Sequence, residues 1–373
     1  RKRNALYRKP RVTGGAQQPE MLVDGRPLLS FCSNDYLGLA ADARVGEAFK
    51  QGVDEFGSGS GAAHLVTGHS AAHQALEEEL AEFTGRDRAL LFSSGYMANL
   101  GVISGLLGRG DSVLQDRLNH ASLIDGGRLS GARLQRYPHL DAETARERLA
   151  KAGGGKLLAT DGVFSMDGDL ADLPALVRIC DREQAWLMVD DAHGLGVLGA
   201  DGGGSLEHYS LDQQQVPILM GTLGKALGTA GAFVAGPEVL IETLVQQART
   251  YIYTTALPAA VAVAASTSLR LAAQESWRRE RLRELVDAFR TGVQHMDFEL
   301  TRSATPIQAI IVGSSETALD WSKQLEAQGI LVAPIRPPTV PKGTARLRIT
   351  FSASHGGHHL RLLLDALAGL QRG

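Results

Sequence analysis

From about residue 70 the chain alternates two kinds of hydrophobic pattern. Helical stripes recur: Ala72, Leu76, Leu80 and Phe83 line one face and stop at Gly85, and Leu282, Leu285, Val286 and Phe289 line another that stops at Gly292. Between such stretches lie short apolar runs, Arg88 to Phe92, Ser112 to Gln115, Leu134 to Tyr137, Leu157 to Asp161, Trp186 to Asp190, Ile218 to Gly221 and Gly231 to Ala235. Most of them lack the in-and-out alternation of a sheet with one wet face. Continuous apolar strands separated by helices predict an α/β fold whose mainly parallel, seven-stranded sheet is covered on both sides. After Gly292 a smaller pattern begins: strand-like Ile307 to Val312, a helix around Leu319 to Leu325, strand-like Ile330 to Ile335, a Pro-rich loop, Leu347 to Phe351 and a terminal helix. The expected organisation is an N-terminal arm over 1–45, a large domain over 46–280 and a small αβ domain over 281–373.

Composition narrows the possible functions. Basic and acidic side chains number 38 and 41, a formal charge of only -3, which disfavours a general nucleic-acid or membrane-surface binder. Six of the first eleven residues are Lys or Arg; a solvated arm is the default reading, although it could attract an anionic carrier. The uncharged run Thr250 to Leu269 is long enough to span a bilayer, but six Ser/Thr residues and Pro258 mark it as a turn followed by a buried helix. Cys32 and Cys180 cannot build a disulfide framework, which fits a reducing, cytoplasmic setting, and both are expected to be buried and inert. Glycine is the outlier, with 43 residues, so many backbone positions must turn tightly or approach something closely.

In an open parallel sheet, ligands bind beyond the carboxyl ends of the strands. Arg88 to Phe92 runs into Ser93-Ser94-Gly95-Tyr96-Met97-Ala98-Asn99, a small-residue turn opening a helix, where unpaired N–H groups suit a phosphate or simply receive a Ser cap. Trp186 to Asp190 ends in Asp190-Asp191-Ala192-His193, which suits a cation, a metal or a pyridinium nitrogen. Ile218 to Gly221 leads into Thr222-Leu223-Gly224-Lys225, where a desolvated lysine gains the nucleophilicity to form a Schiff base, unless it is an ordinary surface lysine.

Rival motifs fail on spelling. Gly194-Leu195-Gly196-Val197-Leu198-Gly199 fits the dinucleotide fingerprint, yet two aspartates precede it and no helical pattern follows. A Walker A loop would need glycine at Leu219 and Ser or Thr at Ala226. His64, His69 and His73 have spacings a metal could use, but there is no H-E-x-x-H, and a loop and helix face is the expected role, with no metal.

A phosphate turn, then aspartate and histidine, then lysine, in that chain order, resembles the fold-type I pyridoxal phosphate enzymes and, within them, the α-oxoamine synthases. The resemblance runs from Leu29 to Phe351 through Ser33-Asn34-Asp35-Tyr36-Leu37-Gly38, Gly57-Ser58-Gly59-Ser60-Gly61, His73-Gln74-Ala75-Leu76-Glu77, Asn119-His120-Ala121-Ser122, Asp161-Gly162-Val163-Phe164-Ser165-Met166-Asp167-Gly168, Asp190 to Gly194, Thr222 to Lys225, and Ile335-Arg336-Pro337-Pro338-Thr339-Val340-Pro341. It implies that Lys225 holds pyridoxal 5′-phosphate and moves the substrate proton, Asp190 faces the ring nitrogen, His193 the phenolic oxygen, and His120 stacks on the ring. It implies that Gly95, Tyr96, Ser165 and Thr222 complete the cofactor shell, with Thr255 contributed by the partner of a homodimer. Arg348 would grip the amino-acid carboxylate, and Asn34, His120 and Thr339 would touch substrate. The last motif points to the member that joins L-alanine to a pimeloyl thioester of coenzyme A or an acyl carrier protein. The family's N-terminal arginine has no unambiguous counterpart in Tyr7-Arg8-Lys9-Pro10-Arg11, and Asp161 stands where relatives often carry glutamate. Two other readings stay open: a sister transferase using glycine and a short acyl-CoA, and a non-catalytic or metal-binding αβ protein using Asp190, Asp191 and His193.

Overall fold

The computed structural model describes Tyr7 and residues 9–370; of the basic arm, Arg1, Lys2, Arg3 and Arg8 lie outside the described residues. The chain divides into two units, one of residues 42–164 and 170–276, the other of 1–41, 165–169 and 277–373.

In the smaller unit, β1 (Thr13–Gly14), β2 (Glu20–Val23) and β3 (Arg26–Ser30) form an antiparallel meander within what the sequence pattern presents as an arm. Asp24-Gly25 between Met21-Leu22-Val23 and Leu28-Leu29 is a two-residue hairpin signal, and both residues take the positive φ, 52° and 78°, that such a turn uses.

The larger unit is built on a seven-stranded sheet of β4 (Arg88–Phe92), β5 (Ser112–Asp116), β6 (Arg133–Tyr137), β7 (Lys156–Asp161), β8 (Trp186–Asp190), β9 (Ile218–Thr222) and β10 (Ala232–Gly236), in the order β4-β10-β9-β8-β7-β5-β6. Six strands run one way; β10 alone is antiparallel to both neighbours. Alternate side chains enter two separate cores. Leu157, Ala159, Met188, Ile218 and Met220 pack with Ala98, Val102 and Ile103 on one side. Leu158, Leu187, Val189 and Leu219 pack with Leu149, Leu173 and Leu176 on the other. Both faces are dry, which is why the strands read as unbroken apolar runs. The run after Thr250 is a short helix, Arg249–Ile252, then a helix Ala259–Gln274 buried against Ala43–Phe56.

The smaller unit continues with β11 (Glu299–Leu300), β12 (Ile307–Gly313), β13 (Ile330–Leu331), β14 (Ala333–Ile335) and β15 (Ala345–Thr350). β13 joins β3 in parallel, and the others form a sheet ordered β11-β12-β15-β14. The expected strand over Ile330 to Ile335 is therefore two strands in two sheets. Cys180 is buried but Cys32 is only half-buried, a correction to the expectation for both; burial still pushes both thiols up to about 12.

Candidate active site

Because β4, β5, β7, β8 and β9 point the same way, their carboxyl ends open along one edge of the large sheet. At the end of β8 the two aspartates part company. Asp190 is buried; its Oδ2 accepts Asn99 Nδ2 at 2.7 Å and its Oδ1 the Ala192 N–H at 3.1 Å. Asp191 turns into the loop instead, accepting Ser205 N–H at 2.7 Å. A Cβ on Gly194, Gly204 or Gly162 would fall 2.1, 1.9 or 2.7 Å from its carboxylate oxygens, so this glycine cluster exists to close over Asp191. Burial raises Asp191 to about 7.

Lys225 follows β9 in a turn pinned by Leu223 N–H to Gly231 O (3.0 Å) and Thr229 N–H to Leu223 O (2.9 Å). Its Nζ lies 3.1 Å from Nε2 of buried His193. At the head of the turn, the buried Thr222 hydroxyl has no hydrogen-bond partner among the described residues. The helix Gly95–Leu106, capped by Ser94 Oγ on Met97 N–H (3.3 Å), approaches that threonine so closely that a Cβ on Gly95 would sit 2.9 Å from Thr222 Cγ2. Tyr96 is partly exposed, its ring edge-on to His120 at 6.3 Å, and its hydroxyl donates to the Asp125 carboxylate.

His120 caps the helix Ala121–Leu129 with its own ring: Nδ1 lies 2.7 Å from Ser122 Oγ and accepts Ser122 N–H at 3.3 Å. Its backbone N–H donates to Asp161 Oδ2 at 2.7 Å. Desolvation lowers the imidazole pKa, with Lys225 acting the same way and Asp190 opposing; desolvation and neighbouring Asp190 raise Asp161.

The smaller unit holds the other candidate residues. Arg348 on β15 is buried, and its partners are neutral oxygens: Nε donates to Ser165 O at 2.6 Å, and both terminal nitrogens approach Asn34 Oδ1 at 3.2 to 3.3 Å. Arg346, two residues earlier, is ion-paired with Asp167. Thr339 is exposed in the loop after β14, with its N–H on Arg336 O. Arg11 is taken up by Asp24 and Glu326, so among the described arm residues it is a structural cation. Thr255 is exposed in the larger unit, in an antiparallel bridge with Ala63.

The histidine trio is structural by its bonds. His73 accepts Ser70 N–H at Nδ1 and bonds Leu257 O through Nε2, while His64 and His69 contact each other at 2.9 Å. Among the described residues, the His, Cys and carboxylate atoms that converge closely enough for a metal are those of Glu20, His358 and His359. There Nδ1 of His359 accepts Gly356 N–H, which leaves the ring proton on Nε2, the atom facing Glu20.

Asn99 and Ser122 escape the sequence reading of roles. Asn99 lies one helical turn beyond Gly95, a spacing that carries a signal for facing the same strand ends.

A pyridoxal phosphate fits these residues. The N-terminus of the helix Gly95–Leu106 and the Thr222 hydroxyl, partnerless among the described residues, suit a phosphate, buried Asp190 suits a protonated ring nitrogen, and Lys225 offers an amine. A family model described as aminotransferase class I and II matches residues 26–367. The 8-amino-7-oxononanoate synthase of Thioalkalivibrio sulfidiphilus is 61% identical, over 100% of this chain and 96% of its own length. That of Methylococcus capsulatus is also 61% identical, over 97% and 94%. Among solved structures, a serine palmitoyltransferase from S. paucimobilis with a bound PLP-myriocin aldimine superposes with a TM-score of 0.93 at 32% identity, covering 96% of this chain and 91% of its own. The 8-amino-7-oxononanoate synthase of Francisella tularensis gives 0.81 at 32% identity, over 91% and 97%.

Proposed function

The chain belongs to the 8-amino-7-oxononanoate synthase family, and from that membership we propose how its residues carry out the reaction: L-alanine condenses with a pimeloyl thioester, and 8-amino-7-oxononanoate, carbon dioxide and the free carrier leave. The enzyme is a pyridoxal phosphate-dependent acyltransferase of biotin biosynthesis. The observation that carries the site assignment is the meeting of Asp190, the Gly95 turn with its partnerless Thr222 hydroxyl, and Lys225 along one sheet edge.

When bound, pyridoxal phosphate supplies a protonated ring that draws off the electron pair released at the substrate Cα. Asp190 would hold the proton on the ring nitrogen, because a buried carboxylate whose hydrogen-bond donors among the described residues are neutral N–H groups keeps its negative charge for that nitrogen. Lys225 Nζ takes the Cα proton of L-alanine and returns a proton after the new carbon–carbon bond has formed. His193, 3.1 Å from that amine, orients it and would in turn face the ring oxygen. His120 would cover the ring face. The N–H groups at Gly95 and Tyr96, with Thr222 and Ser165, would complete the cofactor's shell. Arg348 takes the alanine carboxylate, which departs as carbon dioxide, with Asn34 and Thr339 on the substrate side. Support for Arg348 over Arg346 is electrostatic: Arg346 is neutralised by Asp167, while the acceptors that Arg348 meets among the described residues are neutral and leave its charge for an anion.

The working unit is a homodimer in which Thr255 reaches the partner's cofactor. Thr255 is exposed, and Leu65, Val66 and Tyr253, flanking the two sides of its bridge to Ala63, are 52%, 73% and 69% exposed, an apolar surface suited to a second copy. Among the described residues no helix is long and apolar enough to cross a membrane; we place the enzyme in the cytoplasm on its free thiols.

The test is a substrate panel on the purified chain loaded with pyridoxal phosphate, read by mass spectrometry. L-Alanine with pimeloyl-CoA or the pimeloyl carrier protein should give 8-amino-7-oxononanoate. One methyl contributes about 1 to 3 kcal/mol, so glycine should trail by about tenfold to a few hundredfold. Faster turnover of glycine with acetyl-CoA would replace this reading with the sister transferase.

A further inference from the structure

Asn99 is fully buried inside the larger unit, and its single amide group makes two bonds in different directions: to Asp190 Oδ2 at 2.7 Å and to Ser122 Oγ at 2.8 Å. Its orientation is forced. An Asn99 turned the other way would aim its carbonyl oxygen at the Asp190 carboxylate, whereas the observed orientation leaves Oδ1 buried without a partner among the described residues. Both amide hydrogens are therefore donated, and Ser122 Oγ accepts one. The hydroxyl's own hydrogen is then directed at its other neighbour, His120 Nδ1, at 2.7 Å. That nitrogen also receives Ser122 N–H, so it is an acceptor twice over and the neutral ring carries its proton on Nε2.

We infer that Asn99 and Ser122 are positioning residues that tie the charge of Asp190 to the tautomer of His120, so that His120 presents Nε2–H as a donor to the reacting molecules. The inference rests on the reading that Asp190 and His120 flank the cofactor. It gives the two ends of the network different duties: Asn99 holds the carboxylate in place while Ser122 transmits the donor direction to the imidazole. Ser122, fully buried at the start of the helix that His120 caps, is held in register by that same helix.

The experiment is nitrogen-15 spectroscopy of histidine side chains in the full chain loaded with pyridoxal phosphate at about pH 7, with His120 assigned by its loss in His120→Gln. The expected wild-type signature is a neutral ring protonated at Nε2. Asn99→Ala, whose side chain bonds Asp190 and Ser122 and not His120, should shift proton population toward Nδ1. It should lower kcat by about 10- to 100-fold while leaving KM for L-alanine within about threefold. If that variant fails to fold, Ser122→Ala carries the same expectation, with recovery in Ser122→Thr. A wild-type ring protonated at Nδ1, or ring-nitrogen shifts unchanged in Asn99→Ala or, where that variant does not fold, in Ser122→Ala, would overturn the inference. Failure of the wild type to join L-alanine to pimeloyl-CoA would instead contradict the functional reading, and the spectra would still decide the network.

Discussion

Two places in the molecule bury like charges almost side by side, Asp190 and Asp191 at the end of β8 and Arg346 and Arg348 on β15, and they separate the members of each pair by different means. The aspartates are consecutive, Asp190 closing β8 and Asp191 just beyond it, and they take different partners; Asp191 disappears into a glycine loop, where burial raises its pKa to about 7. The arginines are two apart and share a face, so one of them needs a countercharge, which Asp167 provides to Arg346. In both places the remaining charge is held by neutral partners: Asp190 by an amide and a backbone N–H, Arg348 by a carbonyl and Asn34. A charge oriented by neutral groups keeps its field for a ligand, and one cancelled inside the fold serves the fold.

The sharpest break in that comparison would come from Asp190→Asn, which should retain some cofactor yet lose more than about 100-fold in rate, since such electrostatic contributions are typically a few kcal/mol. An unchanged rate would mean that another group faces the ring nitrogen. Next come the arginines, whose effects should cross. Arg348→Ala should cut kcat/KM for L-alanine by roughly 10- to 100-fold through the loss of charged hydrogen bonds of about 1.5 to 3 kcal/mol. Arg346→Ala should act on stability, by about 3 to 5 kcal/mol in urea unfolding, because Asp167 is left without its countercharge. The same change in kcat/KM for both would erase the distinction.

Asp191 offers a smaller effect with a definite sign. Its folded pKa is raised above the ordinary 3.8, so its contribution to stability is full below that value, drains away as pH rises, and is gone above about 7. Asp191→Asn should flatten the fall in unfolding free energy between about pH 4 and pH 7 by about one proton's worth of slope. Glu77, also raised to about 7, and Asp35, raised to about 6, add slopes of the same sign, so the difference between wild type and variant is the quantity to read. An unchanged slope would return Asp191 to the list of solvated carboxylates. The smallest effect is expected of Thr222→Val: the cofactor-free chain should be no less stable, because its hydroxyl has no partner among the described residues, while cofactor retention falls about fivefold for one lost hydrogen bond. Equal retention would take Thr222 out of the shell.

The same contrast explains what could be read from the sequence. The seven strands stand out because both faces of the sheet are buried, but that uniformity hides direction, and nothing in Ala232 to Gly236 says that β10 runs backwards. The meander at 13–30 carried its own signal in Asp24-Gly25, too short to outweigh the polar residues before it. Asp190 and Lys225 are legible because they sit where parallel strands end. Asp190 and Asp191 are the same residue type in the same motif, and only the crowding of Gly162, Gly194 and Gly204 tells them apart. Asn99 reads as one polar residue in an apolar helix; its role emerges only when the fold brings it to Asp190, 91 positions away in sequence.

The central claim, that Lys225 is the amine of a pyridoxal phosphate site, is tested most directly by reducing the loaded chain with borohydride and mapping the modified peptide. The account predicts a pyridoxyl group on Lys225, in the segment between Thr222 and Gly231, at close to one per chain. Labelling at any other lysine, or a loaded chain that yields no labelled peptide, would contradict it.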